Sequence, residues 1–322
     1  MRAVVCQEWG PVENLVVEER PSPSLGPDDV RVDVSACGVN YVEGLMVQGL
    51  YQVKIPAPFV PGMEIVGRIT ELGENVTGRS IGERVFAGPG IGGYVSEAVA
   101  RADRCITLPD TLSDGQAATF MQSYLTGWFA LSRRVTTTPG QRMLVLGAGG
   151  GVGLAAVDLG TALGLEVYAA ASSPEKLELA RQAGAAALID SSTEDVKERT
   201  KELSGGGVDY VYDPVGGDLG STCLRALGDE GTFLVIGFVG GIPQMPANQI
   251  LLRNRQVVGV EWGGWAGRHP EENQVLVDQV LAMIGEGRLH PVEPTTYPLE
   301  QAGQALHDLA ERKVAGKVAL IP

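Results

Sequence analysis

The chain has 322 residues, 44% of them hydrophobic, with 44 glycines and a formal net charge of −14. That length suits two domains, or one large one, and the glycine content suits a compact α/β protein with many tight turns. Acidity on this scale excludes nucleic acid and an anionic membrane surface as natural partners, and an anionic cofactor would need a local basic pocket.

Taken in order, residues 1–7 and 15–19 read as short strands, joined through Gly10 and Pro11. A proline-rich connection leads to an alternating strand at 30–39 (Val30, Val32, Val34). Residues 40–48 suit a short helix, and 51–61 is a loop with three prolines. Strands follow at 65–72 and 84–87, and residues 92–100 alternate again. Many short strands between glycine turns predict a β-rich, barrel-like module. After Pro109 the pattern changes. Residues 113–120 and 122–134 read as helices, the first opened by a capping box of Ser113 and Gln116. Strands at 143–146, 166–171, 187–189, 208–212 and 232–236 then alternate with helices at 154–163, 174–183, 193–203 and 219–227. This alternation predicts a doubly wound parallel sheet. A strand at 256–261, helices at 270–286 and 299–311 and a strand at 317–321 complete the chain.

Cys6, Cys37, Cys105 and Cys223 form no C-x-x-C pair and no tight framework, so reduced thiols in a cytoplasmic protein are expected. Residues 1–10 lack a long apolar segment, so no signal peptide is expected. No apolar run reaches about 18 residues, so no transmembrane helix is expected either.

The stretch MLVLGAGGGVGLAAVDLGTALG at 143–164 organises the second half. An apolar strand, a glycine turn and an apolar helix form the setting in which a dinucleotide fingerprint has meaning. The G-x-G-x-x-G spacing falls on Ala148, Gly150 and Gly153, with Gly151 and Val152 between; alanine replaces the first glycine and Gly147 precedes it. Residues without Cβ let backbone N–H groups approach a pyrophosphate, and the helix N-terminus stabilises its charge. The next strand ends at Ala171 without the carboxylate that would bind the ribose hydroxyl of NAD. Ser172, Ser173 and Lys176 follow instead, and two hydroxyls with an ammonium suit the 2′-phosphate of NADPH.

The phrases GVN at 38–40, PFVPGMEIVGRI at 58–69, AGGGVG at 148–153, VDYVYDPVGG at 208–217, GTFLVIGFVGG at 231–241 and ERKVAGKVALIP at 311–322 carry a family likeness. Over essentially its whole length the chain resembles the medium-chain dehydrogenase/reductase superfamily, and within it the NADPH:quinone oxidoreductase branch that includes ζ-crystallin. The resemblance implies an α/β protein with a GroES-like, β-rich catalytic domain at 1–121. A Rossmann domain at 122–260 and a return to the catalytic domain at 261–322 follow. It implies that Asn40, Tyr51 and Thr126 line the nicotinamide and substrate cleft. Phe238, Val239 and Arg312 are implied to contact the cofactor, Arg312 at the 2′-phosphate. It also implies a homodimer through the strand at 256–261. Zinc alcohol dehydrogenases of the superfamily carry a cysteine where Asn40 stands and a histidine where Met63 stands. An amide and a thioether are a poor zinc set, so no metal is expected. Without a Lewis acid, hydride addition to a quinone or conjugated enone is favoured over alcohol oxidation. Two departures from the family pattern are Tyr124, where a glycine often precedes the Leu-Thr pair, and Ser191, where some members hold the phosphate with a tyrosine. Two alternatives remain at this point. One is an enoyl-thioester reductase with Tyr51 as proton donor and a basic entrance drawn from Lys54, Arg253, Arg255 and Arg268. The other is an NADPH-binding structural or sensor protein with little turnover.

Overall fold

A computed structural model describes residues 1–322 and divides into two compact units, Met1–Met121 with Pro291–Pro322, and Gln122–His290.

The first unit begins with a hairpin, β1 (Arg2–Val5) and β2 (Val16–Glu19). Its spine is β3 (Asp29–Val39), whose alternation puts Val30, Val32 and Val34 into the core. This is the period-two pattern of a half-buried strand. Asn40 ends the strand and opens α1 (Tyr41–Val47). β4 (Ile65–Leu72), β5 (Arg84–Ala87), β6 (Glu97–Arg101), β7 (Cys105–Thr107) and α2 (Asp114–Thr119) follow. The last of these is capped by Ser113 and Gln116, as the sequence predicts.

The second unit opens with α3 (Met121–Phe129), which runs into a π-helical turn at Ala130–Arg134. Strands and helices then alternate: β8 (Arg142–Leu146), α4 (Gly151–Ala162), β9 (Glu166–Ala171), α5 (Pro174–Gln182), β10 (Ala187–Asp190), α6 (Val196–Ser204), β11 (Val208–Asp213), α7 (Gly217–Cys223) and β12 (Leu227–Val235). The unit closes with α8 (Ala247–Leu251), β13 (Gln256–Gly259), α9 (Trp262–Arg268) and α10 (Pro270–Gly285). The six strands are all parallel, in the order β10-β9-β8-β11-β12-β13. Met143–Leu146 is wholly buried, as a strand covered on both faces must be. The order reverses between β8 and β11, and ligands of such sheets bind at the carboxyl ends of the strands there.

The chain returns to the first unit with β14 (Thr295–Pro298), α11 (Ala302–Ala310) and β15 (Val318–Ile321). β15 pairs antiparallel with β3, and the sheet runs β14-β15-β3-β4-β5-β7 with β6 also on β3. The return falls after His290, not at 261 as expected. α10 stays in the nucleotide unit because Gln279 accepts from Trp128 Nε1 at 2.8 Å and Glu272 pairs with Arg133. Elsewhere local chemistry trims the expected elements. α6 starts at Val196, not 193, because Asp195 caps it through the Glu198 N–H, and α7 ends at Cys223 in a 3-10 turn.

Candidate functional site

In the nucleotide unit, the fingerprint turn follows β8 at the switch point. Gly150 is the N-cap of α4 and has no side chain with which to bond the amides of the first turn of this 12-residue helix. A Cβ on Gly153 would lie 2.3 Å from the Gly147 carbonyl oxygen, so only glycine lets the turn close on the helix. Ala148 is fully buried and its N–H bonds the Ala170 carbonyl at 2.9 Å. The first turn of α5 crosses over this loop. A Cβ on Gly149 would meet Lys176 Cβ at 2.3 Å and its Cα at 3.0 Å. The stem of Lys176 therefore lies against the fingerprint. Ser173 Oγ caps α5 by accepting from the Lys176 N–H at 3.4 Å, and Ser172 is exposed. Glycine backbone, an uncapped helix start and a basic residue together fit a dinucleotide phosphate.

The loop after β11 faces the same switch point. Asp213 Oδ1 accepts from the N–H groups of Val215 and Gly216, each at 2.8 Å, which shapes the turn; burial pushes its carboxyl pKa up. The Gly217 N–H bonds the Gly241 carbonyl and the Gly240 N–H bonds Val215, so the 236–241 loop is laced to the Asp213 turn. That loop leaves Phe238 46% and Val239 37% exposed. Thr126 is half-buried on α3. The sequence does not single out Asp213, whose only signal is a carboxylate closing an apolar strand.

In the first unit, Asn40 is 5% exposed and belongs to a buried polar group whose members Glu43 and Lys317 the sequence reading misses. Its Nδ2 donates to Glu64 Oε2 at 2.8 Å, and its Oδ1 accepts from Lys317 Nζ at 2.7 Å. Its backbone N–H bonds Glu43 Oε2 at 2.9 Å. The amide is thus engaged within the unit. Glu43 is fully buried, and burial together with the Glu64 charge pushes its pKa up to about 8. Burial likewise lowers the Lys317 pKa against the pull of both carboxylates. The one sequence signal for Lys317 is a lysine directly before the apolar strand β15. Tyr51 is half-buried, packed against the barrel core, in a loop held by Leu45. Arg312 is exposed just after α11, in left-handed backbone at φ +58°.

No three His, Cys, Asp or Glu side chains converge as metal ligands. The positions that would supply zinc ligands hold an amide whose oxygen already accepts from an ammonium, and a thioether. This donor set does not fit zinc. The four cations considered for a basic entrance are each engaged locally. Arg253 pairs with Asp229 at 3.0 Å and Arg268 with Glu261 at 3.6 Å. Lys54 bonds the Gly49 carbonyl, and buried Arg255 bonds three backbone carbonyls, the shortest 2.6 Å to Leu227. Of the histidines, His269 stacks on Trp265, and His307 bonds Glu13.

A β-rich unit continuous with both chain ends and a doubly wound nucleotide unit define a two-unit dinucleotide-dependent dehydrogenase or reductase. Comparison with known proteins agrees. Residues 26–110 match the alcohol dehydrogenase GroES-like domain family, and 151–281 match the zinc-binding dehydrogenase family. Quinone oxidoreductase-like protein 2 of Bos taurus is 38% identical over 99% of this chain and 92% of its own length. Its homolog in Nematostella vectensis is 37% identical over 99% and 88%. The crystal structure of Escherichia coli quinone oxidoreductase complexed with NADPH superposes with a TM-score of 0.90 at 27% identity, covering 100% of both chains. The chain belongs to the medium-chain dehydrogenase/reductase superfamily, in its quinone oxidoreductase-like branch.

Proposed function

We propose that the protein is an NADPH-dependent reductase that delivers hydride to a quinone or other conjugated carbonyl acceptor without zinc. The observation that carries the cofactor assignment is the switch point itself. An uncapped α4 N-terminus lies beside Lys176, and no carboxylate ends β9. Arg312 supplies a second cation for the 2′-phosphate. Bound NADPH supplies the hydride. The fingerprint amides Gly151, Val152 and Gly153 hold the pyrophosphate, with Gly150 and Ala148 shaping the turn; Ser172, Ser173 and Lys176 hold the 2′-phosphate; Phe238 and Val239 cover the nicotinamide end. The Thr126 hydroxyl orients the nicotinamide. Tyr51 donates a hydrogen bond to the acceptor oxygen, where negative charge develops. Asn40 acts from behind, fixing the α1 start through Glu64 and Lys317.

Zinc independence is supported by the chemistry of Asn40, Met63 and Lys317. Assembly as a homodimer is supported by β13, an outer strand that pairs only with β12 and leaves Val257 38% exposed. Four buried, unpaired cysteines support a reducing, cytoplasmic setting. No helix is long and apolar enough to cross a membrane. NADPH oxidation against a panel of quinones, enones and crotonyl-CoA tests the reading. Turnover with quinones or enones is the expected result. Turnover confined to the thioester, or absent with all three, rejects it.

A further inference from the structure

Thr126 sits between two fastenings of α3 to α4, the helix whose first turn is the fingerprint. Two residues before it, buried Tyr124 donates its hydroxyl proton to Asp158 Oδ2 at 2.6 Å. One residue after it, Gly127 lies so close to α4 that a Cβ there would come within 2.6 Å of Leu159 Cδ1 and 4.0 Å of Ala156 Cα. Asp158 is 4% exposed in a helix whose neighbouring residues from Gly153 to Gly160 are buried and otherwise apolar or small. The same Oδ2 also accepts from the His290 backbone N–H at 2.6 Å, and His290 Nδ1 lies 3.4 Å from Oδ1. Tyr124 is the third residue of the nucleotide unit and His290 its last, so one carboxylate holds both ends of the unit's chain to α4.

A carboxylate in an apolar helix costs desolvation that its partners at best offset; an apolar pair of the same shape would hold the helices together as well or better. What a short charge-assisted hydrogen bond adds is direction. We propose that Tyr124 and Asp158 form a positioning pair, which fixes the Thr126 hydroxyl relative to the fingerprint turn and so sets the nicotinamide for hydride transfer. The inference rests on the reading that Thr126 faces the nicotinamide. The pair touches neither cofactor nor acceptor and acts through α3.

The test compares Tyr124→Phe and Thr126→Ala with the unmodified full-length protein. Three readouts are taken: NADPH affinity and nicotinamide emission anisotropy by fluorescence; the single-turnover rate with a quinone, per NADPH-titrated site; and the primary isotope effect with NADPH deuterated at the transferring carbon. Tyr124→Phe removes one oxygen and leaves the packing volume in place. It is expected to keep NADPH affinity within about twofold while lowering the single-turnover rate roughly tenfold. The anisotropy falls and the isotope effect changes as the hydride geometry loosens. Thr126→Ala shifts the same readouts in the same direction. If Tyr124→Phe only lowers melting temperature and the number of titratable sites, with rate per site, anisotropy and isotope effect unchanged, the pair is structural and the proposal is overturned while Thr126 keeps its place. If Thr126→Ala also leaves all three unchanged, Thr126 does not face the nicotinamide and the reading beneath the proposal falls with it.

Discussion

Glu43→Gln isolates the buried carboxylate beneath Asn40. Glu43 has no exposed surface and accepts the Asn40 N–H at 2.9 Å. Burial, then the charge of Glu64, moves its pKa from 4.5 up to about 8, with Lys317 pulling the other way. The folded state therefore keeps a proton that the unfolded state releases near 4.5. By linkage, the stability that this proton gives is fully present below 4.5 and is lost as pH rises toward about 8. A span from 4.5 to about 8, at about 1.36 kcal/mol per pH unit, amounts to on the order of 5 kcal/mol across the window. Glutamine keeps an acceptor for the Asn40 N–H and cannot titrate. Between about pH 5.5 and pH 7.5 the unmodified protein should lose stability relative to the variant by about 1.4 kcal/mol per pH unit. Trp9 is the one tryptophan of the first unit, the other three being Trp128, Trp262 and Trp265. Urea unfolding followed through Trp9, with those three replaced by phenylalanine in both proteins, reads this unit alone. Parallel pH profiles for the two proteins would refute the argument that Glu43 holds the proton.

Lys176→Ala should raise the NADPH Michaelis constant by roughly tenfold to a hundredfold, the equivalent of one charge-assisted bond, and leave NADH nearly unaffected in steady-state assays. Tyr51→Phe should lower turnover with an enone by an amount equivalent to about 2–4 kcal/mol and lower it much less with a quinone, whose product takes its proton from solvent; NADPH affinity by titration should stay unchanged. Val257→Asp places a charge on the β13 edge and should break the proposed dimer: light scattering at micromolar concentration should give a dimer for the unmodified protein and a monomer for the variant, with NADPH binding retained.

The nucleotide half of this fold was readable because its determinants are local. The apolar run before Gly147, the glycine spacing and the small residues of α4 define a strand, a turn and a helix within 22 consecutive residues, 143–164. The β-rich module was readable from alternation, as in β3. The return point was not, because α10 is held by Trp128 and Arg133, side chains more than a hundred residues away, and no period records such partners. The same holds for Asn40. Its position in the GVN phrase marks it, but the direction of its amide is set by Lys317, which lies 277 residues later. Asp158 is one polar residue on an apolar helix in the sequence, and only the fold brings Tyr124 and His290 to it. Ser173 was legible as a polar residue after β9, yet part of its hydrogen-bonding capacity goes to capping α5.

The central claim is zinc-free hydride transfer from NADPH to a conjugated carbonyl acceptor. The most direct measurement is a single turnover of chelator-treated, metal-analysed protein with NADPH deuterated at the transferring carbon and a simple enone, followed by mass and NMR analysis of the product. The account predicts deuterium at the β-carbon of the saturated ketone, at a rate that added zinc does not change. Deuterium in no product, or transfer that appears only when zinc is restored, would contradict it.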